Sequence, residues 1–233
     1  MLLSSKGIVL QSFKYGESSL ISKVFSEEKG LITLISNRSK NKKNRQANFF
    51  QPLSAICFVC YLSNKSDIHR IKELSYNQQI PQYSENVALS AIRFFLAEFL
   101  SKVIKEEEQN IILFSFLETK LSELNSIDEI TGHFHIKVLI ELLEILGIQP
   151  LLKEGDKYFD FEEGSSSNSK PLHPNFCDKT DLDLLLYAQK DYSLLNKNNK
   201  ASLLNILIDF YNIQLGGGFE NLKSKSVLEI VFN

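Results

Sequence analysis

The hydrophobic period changes once along this chain, near Pro81, from two residues to 3.6, and a sequence that alternates in one part cannot fold like the part that winds. Before the switch, apolar runs over residues 7–14, 20–25, 31–35, 52–62 and 67–76 are separated by turn signals: Tyr15-Gly16-Glu17-Ser18, Glu27-Glu28-Lys29-Gly30 and Ser63-Asn64-Lys65-Ser66. Between the third and fourth runs the pattern stops, and residues 36–48 are polar and basic. Five short strands in about 70 residues, with a longer excursion after the third, predict a small closed barrel of the OB type over residues 1–80.

After the switch, amphipathic helices are expected over residues 84–105, 111–124, 128–146, 181–189, 200–215 and 223–232. The third is bracketed by the capping-box pattern Ser126-x-x-Glu129 and by Gly147 with Pro150 just beyond. Between the third and fourth helices lies a polar stretch, at about 151–178, that contains the low-complexity run Glu162-Glu163-Gly164-Ser165-Ser166-Ser167-Asn168-Ser169 and reads as an irregular loop. The expected class is therefore α+β in two domains, a five-stranded OB-fold barrel at 1–80 and an all-α helical domain at 81–233.

Charge divides at the same place. The formal net charge is −2, yet residues 1–80 hold 12 Lys and Arg against 5 Asp and Glu, and the remainder hold 14 against 23, so the halves carry +7 and −9. Such a split directs a polyanionic partner to the first third of the molecule. Cys57, Cys60 and Cys177 are few and odd in number, which fits a reducing compartment. The N-terminus lacks the pattern of a secretory signal, and the most apolar segment, residues 87–104, is interrupted by Arg93, Glu98 and Lys102. A cytoplasmic protein without a membrane span is expected.

The sharpest motif is Arg38-Ser39-Lys40-Asn41-Lys42-Lys43-Asn44-Arg45, five cations in eight residues with no acid among them. Clustered Lys and Arg displace the counterions condensed on nucleic acid and gain affinity without reading sequence. A lone basic loop is more often simply solvated; on a barrel that is itself positive the balance shifts to phosphate contact. Arg38, Lys40, Lys42, Lys43 and Arg45 are the leading DNA-contact candidates, with Lys14 and Lys23, and Lys6, Lys65, Arg70 and Lys72 extend the patch. Among aromatics, Tyr15, Phe49 and Phe50 are the candidates for stacking on bases, although core or hinge packing is the more ordinary role for each. Cys57-Phe58-Val59-Cys60 has half-site zinc spacing, but strand residues three apart face opposite ways. Cys177 with His173 supplies two ligands where four are usual, and His133 and His135 sit about 200° apart around a helix. Residues 164–171 resemble a phosphate loop but lack its second glycine and its Ser/Thr, and Gly216-Gly217-Gly218 reads as a helix stop. No metal, cofactor or catalytic constellation is expected.

Several of these segments together are recognisable. Gly7-Ile8-Val9-Leu10, Tyr15-Gly16-Glu17-Ser18, residues 25–32 and Phe50-Gln51-Pro52-Leu53 closely resemble the start of the RecO recombination mediators. Residues 142–151, closing a leucine-rich helix on Gly147 and Pro150, are similar to the family's helical part, as are Phe159-Asp160-Phe161-Glu162-Glu163-Gly164, His173-Pro174, Tyr211 and Leu222-Lys223-Ser224 with Val227-Leu228. The resemblance implies an N-terminal OB-fold and a helical domain. It also implies a non-catalytic role in DNA repair: binding single- and double-stranded DNA, annealing complementary strands, and assisting RecA on DNA coated with single-strand-binding protein (SSB), together with RecR. The SSB C-terminal tail is expected to dock on the helical domain, with no motif that assigns its residues. Many members carry a four-cysteine zinc module between helices, of which only Cys177 remains here, so metal binding is not carried over. Two other readings stay open on residues alone: an OB-fold RNA-binding or ribosome-associated protein, and an enzyme with a pocket hidden in the helical domain.

Overall fold

The computed structural model describes residues 1–17, 19–37, 46–63, 66–80, 86–105, 108–126, 133–191 and 195–232. Five strands come first: β1 (Leu2–Tyr15), β2 (Ser19–Ser26), β3 (Gly30–Asn37), β4 (Ala55–Tyr61) and β5 (Ile68–Tyr76). They close into a barrel in the order β1-β2-β3-β5-β4, antiparallel at every seam except β3 with β5. The expected OB-type barrel is present, because alternation puts one side chain in two inward and closure removes the exposed edges. Val9, Val24, Ile32, Leu34, Ile56, Phe58 and Cys60 fill the interior. Phe50 joins them from a short 3-10 helix, Gln46–Phe50.

β1 is longer than the alternation indicates because it serves two partners. Leu2–Ile8 pairs with β4 and Gly7–Tyr15 with β2, so Gly7 and Ile8 belong to both seams. At Gly7 the interior has no room for a side chain: a Cβ there would lie 2.4 Å from Val24 Cγ1 and 3.0 Å from Phe58 Cε1. One step further, a bulge between Val9 and Gln11 shifts the register against β2.

Two helices, α1 (Val87–Val103) and α2 (Ile111–Ser126), follow β5. Asn86 caps α1, its side chain accepting from the Ala88 and Leu89 amides. Both helices lie on the barrel: Gln11 donates to Ser101 Oγ at 2.8 Å, Phe25 and Phe114 stack with centroids 5.8 Å apart, and buried Arg93 reaches the Leu53 carbonyl at 3.4 Å and also Asn125. The change from strand to helix thus falls near residue 80, while the compact unit that holds the barrel runs Met1–Glu129.

The second unit, Ile130–Asn233, holds α3 (Phe134–Ile145), α4 (Lys179–Asp191), α5 (Lys197–Gln214) and α6 (Lys223–Phe232). Tyr211 of α5 is buried and donates to the Leu139 carbonyl of α3 at 2.7 Å, and burial holds its phenol well above the ordinary tyrosine range. α3 ends as its sequence predicts: Gly147, at φ 70°, closes a Schellman turn with Gly147 N–H to Glu144 O at 3.0 Å and Ile148 N–H to Leu143 O at 2.9 Å. The expected start is corrected. Ser126 is the last residue of α2, with its hydroxyl donating back to Ser122, and His133 precedes α3 without a side-chain cap. The stretch read as an irregular loop carries a small sheet of order β7-β6-β8, made of β6 (Tyr158–Asp160), β7 (Ser165–Ser167) and β8 (Phe176–Cys177). The sheet stands on Phe159, which is fully buried with its ring 5.1 Å from that of Phe210 in α5. Among the described residues, no helix is long and apolar enough to cross a membrane.

Candidate nucleic-acid interface

Register fixes which barrel side chains share the outer surface. Ile8, Phe25 and Lys6 face the helices: Ile8 and Phe25 are cross-strand partners with 1% exposure each, and Lys6 pairs with Glu118 of α2 at 3.6 Å. Beyond the bulge Gln11 still meets Ser101 of α1, and further along β1 the outer side chains of Phe13 and Tyr15 are exposed. There Phe13 of β1 is paired with Ile21 of β2, Ile21 with Ile35 of β3, Ile35 with Arg70 of β5, and Arg70 with Tyr61 of β4. All five point outward, because their neighbours Ser22, Leu34, His69 and Cys60 are buried. At about 4.8 Å per strand this makes an arc of about 19 Å across the barrel, with a ring at each end. Phe13 is 51% exposed and Tyr61 50%; Tyr15, two residues on from Phe13 and on the same face, is 60% exposed.

Of the DNA-contact candidates, Arg38, Lys40, Lys42, Lys43 and Arg45 lie outside the described residues, as does Lys65, and the run begins at the residue after β3 ends. Lys23 and Lys14 are both exposed but stand on opposite faces of the β1–β2 ribbon. Lys23 is opposite Gln11 on the outer side, one step from the Phe13–Tyr61 arc. Lys14 follows on the side of Ser12, whose hydroxyl meets Ser22 at 2.9 Å and the Phe50 carbonyl at 3.0 Å. Arg70 sits in the arc itself. Lys6 and Lys72 are less available, held by Glu118 at 3.6 Å and Glu73 at 3.2 Å.

The aromatic assignments divide. Phe50 is core, and Phe49 packs on the core with its ring 4.2 Å from that of Tyr76, as their ordinary role predicts. Tyr15 is not packed away, and Phe13 and Tyr61 were missed. The bulge explains why: inward positions before it are Ser5, Gly7 and Val9, and simple alternation would carry that phase on to Phe13 and Tyr15, whereas one extra residue turns both outward.

Cys60 is buried in the barrel core, and Cys57 is on the other face of β4, partnered with Lys6. Burial raises both thiols, and Cys177 is pushed up to about 12 by burial and by Asp181. His173 is engaged by Asp160 at 3.1 Å and Glu162 at 3.5 Å. Among the described residues no group of three or more His, Cys, Asp or Glu is placed to hold a metal ion. Ser165 to Ser167 form β7 rather than a phosphate loop, and Gly216 to Gly218, all at positive φ, follow α5 as its stop.

The second unit has a groove among α3, α5 and α6. Leu204, Leu228, Ala201 and Phe232 form an apolar floor; Lys197 and Lys200, from the first turn of α5, stand with Glu229 at its edge. His135 borders it and is buried, and burial holds its imidazole down at about 3, so the groove's positive charge comes from the lysines and not from the histidine. Sequence reasoning had no signal for this groove, since its residues come from three separate helices.

Comparison with known proteins bears on both units. Residues 1–79 match the family model described as Recombination protein O N terminal, and residues 85–223 match Recombination protein O C terminal. Over its full length, and theirs, the chain is 34% identical to the DNA repair protein RecO of Flavobacterium johnsoniae, 32% to that of Flavobacterium psychrophilum and 30% to that of Bacteroides fragilis. With both models matched in order and such identity end to end, the chain belongs to the RecO family.

Proposed function

We propose that this protein is a non-catalytic DNA-binding recombination mediator in DNA repair. Its barrel holds single- or double-stranded DNA by the phosphates, lowers repulsion against a second strand and leaves the pairing edges of the bases free to anneal; with RecR it assists RecA onto SSB-coated DNA. The observation that carries the reading is the outer face of the barrel around the Phe13–Tyr61 arc, where Lys23 and Arg70 stand without acidic partners among the described residues; in the sequence the five-cation run follows β3 directly. A surface of this kind gains affinity by releasing counterions. The groove of the second unit supports the partner role. An apolar floor rimmed by two lysines suits an acidic peptide with an apolar end, and it is the docking surface we assign to the SSB C-terminal tail.

A salt titration tests the DNA contact. Replacing Arg38, Lys40, Lys42, Lys43 and Arg45 with Ala is expected to lower the slope of log affinity against log salt by roughly 3 to 4 on a single strand, at about 0.7 for each phosphate contact. An unchanged slope refutes the assignment. Annealing of SSB-coated complementary oligonucleotides, measured with and without RecR, tests the mediator step, and failure to accelerate it overturns that part.

A further inference from the structure

The outer face around the Phe13–Tyr61 arc carries more than charge. From its register we infer that Phe13 and Tyr61 are base-stacking anchors, one at each end of an outer arc that runs through Ile21, Ile35 and Arg70, and that this arc selects unpaired strands over duplex. The inference rests on the DNA-binding reading above. Three observations carry it. Phe13 and Tyr61 are half exposed, on the rigid strands of a closed barrel rather than on loops, so little side-chain entropy is lost when a base is laid on either ring. Between them the surface is apolar at Ile21 and Ile35 and cationic at Arg70, whose planar guanidinium both stacks and pairs with phosphate. Lys23 stands one step to the side, where a backbone crossing the strands would pass.

That combination is complementary to a chain of flat, apolar bases on an anionic backbone. In a duplex the base faces are already stacked on one another, and the same arc meets only phosphate and sugar. The rings therefore contribute to single-strand affinity alone, while the cations contribute to both forms. A docked protein would use the apolar side chains equally well but would have no need of the rings as rings.

The test uses the full chain with Phe13→Ala, Tyr61→Ala, Phe13→Leu and Phe13→Tyr, each first checked for an unchanged thermal transition. Binding to oligothymidylate and to a duplex of equal length is followed by anisotropy across a salt series. Each Ala variant is expected to lose about tenfold on the single strand, with no change of salt slope and none on the duplex. Phe13→Leu should lose nearly as much, and Phe13→Tyr should keep affinity because the ring is retained. A 2-aminopurine in the oligonucleotide should be quenched by the protein and less so by the Ala variants. The inference is overturned if the Ala variants bind the single strand as well as the unaltered protein, if they lose on both forms alike, or if Leu serves as well as Phe, which is the outcome for a protein-docking surface. If the unaltered protein binds neither form, the DNA-binding reading itself fails and the arc fails with it.

Discussion

Acidification should destabilise the second unit through one histidine. His135 is 4% exposed and held neutral by burial, its pKa lowered from 6.5 to about 3, with the Phe232 ring 6.2 Å away. A group whose folded pKa is depressed contributes stability above its unfolded pKa and loses it as pH falls toward the folded one. The loss thus begins near pH 6.5 and continues to about 3. At about pH 5 the unfolded imidazole is almost fully protonated and the folded one is not, a gap of about 1.5 pH units that corresponds to about 2 kcal/mol. His135→Phe keeps an apolar ring in the same place and removes the titration. Urea unfolding followed by circular dichroism, with pH lowered from about 8 to about 5, should show the unaltered protein losing about 2 kcal/mol more than the variant. His133, also lowered mainly by burial, is common to both and cancels in the comparison. Equal losses in the two proteins would refute a buried neutral imidazole at this position.

Two further outcomes follow from the barrel. Gly7→Ala sets a methyl group 2.4 Å from Val24 Cγ1 in a packed interior, and thermal unfolding should register a loss of about 1–3 kcal/mol. Replacing Lys23 and Arg70 together with Gln should reduce the single-strand salt slope by about 1.4, which at about 0.1 M salt is about 25-fold in affinity, whereas Lys6→Gln, a cation already held by Glu118, should leave the slope nearly unchanged.

The barrel was legible because alternation, turn residues and the gap after the third strand all agree, and local agreement of that kind is what makes a fold specific. The C-terminal end of α3 was legible because Gly147 adopts the left-handed conformation that its position demands. What escaped depended on pairing partners distant in sequence. The bulge after Val9 lies just past Gly7 and Ile8, which β1 shares between β2 and β4, and with it went the facing of Phe13 and Tyr15. The β6-β7-β8 sheet escaped because its strands are only two or three residues long, too short for alternation to show, and its buried residues Phe159, Phe161 and Cys177 are spread through a polar stretch. Ser126-x-x-Glu129 misled because Ser126, a residue type that suits a cap, is the last residue of α2 and not the cap of α3. The groove escaped because its lining is divided among α3, α5 and α6, although Lys197, Lys200, Ala201 and Leu204 follow one face of α5.

The docking of α1 and α2 on the barrel bears on how the protein can be dissected. A fragment ending at residue 80 would strip Ile8, Leu10 and Phe25 of the cover that keeps each at or below 2% exposure, and would leave Lys6 without Glu118. Such a fragment would present a sticky back besides the face proposed to meet DNA, and its self-association would imitate strand annealing in a bulk assay. A minimal piece that reports on that face alone has to keep the chain through Ser126, where α2 ends.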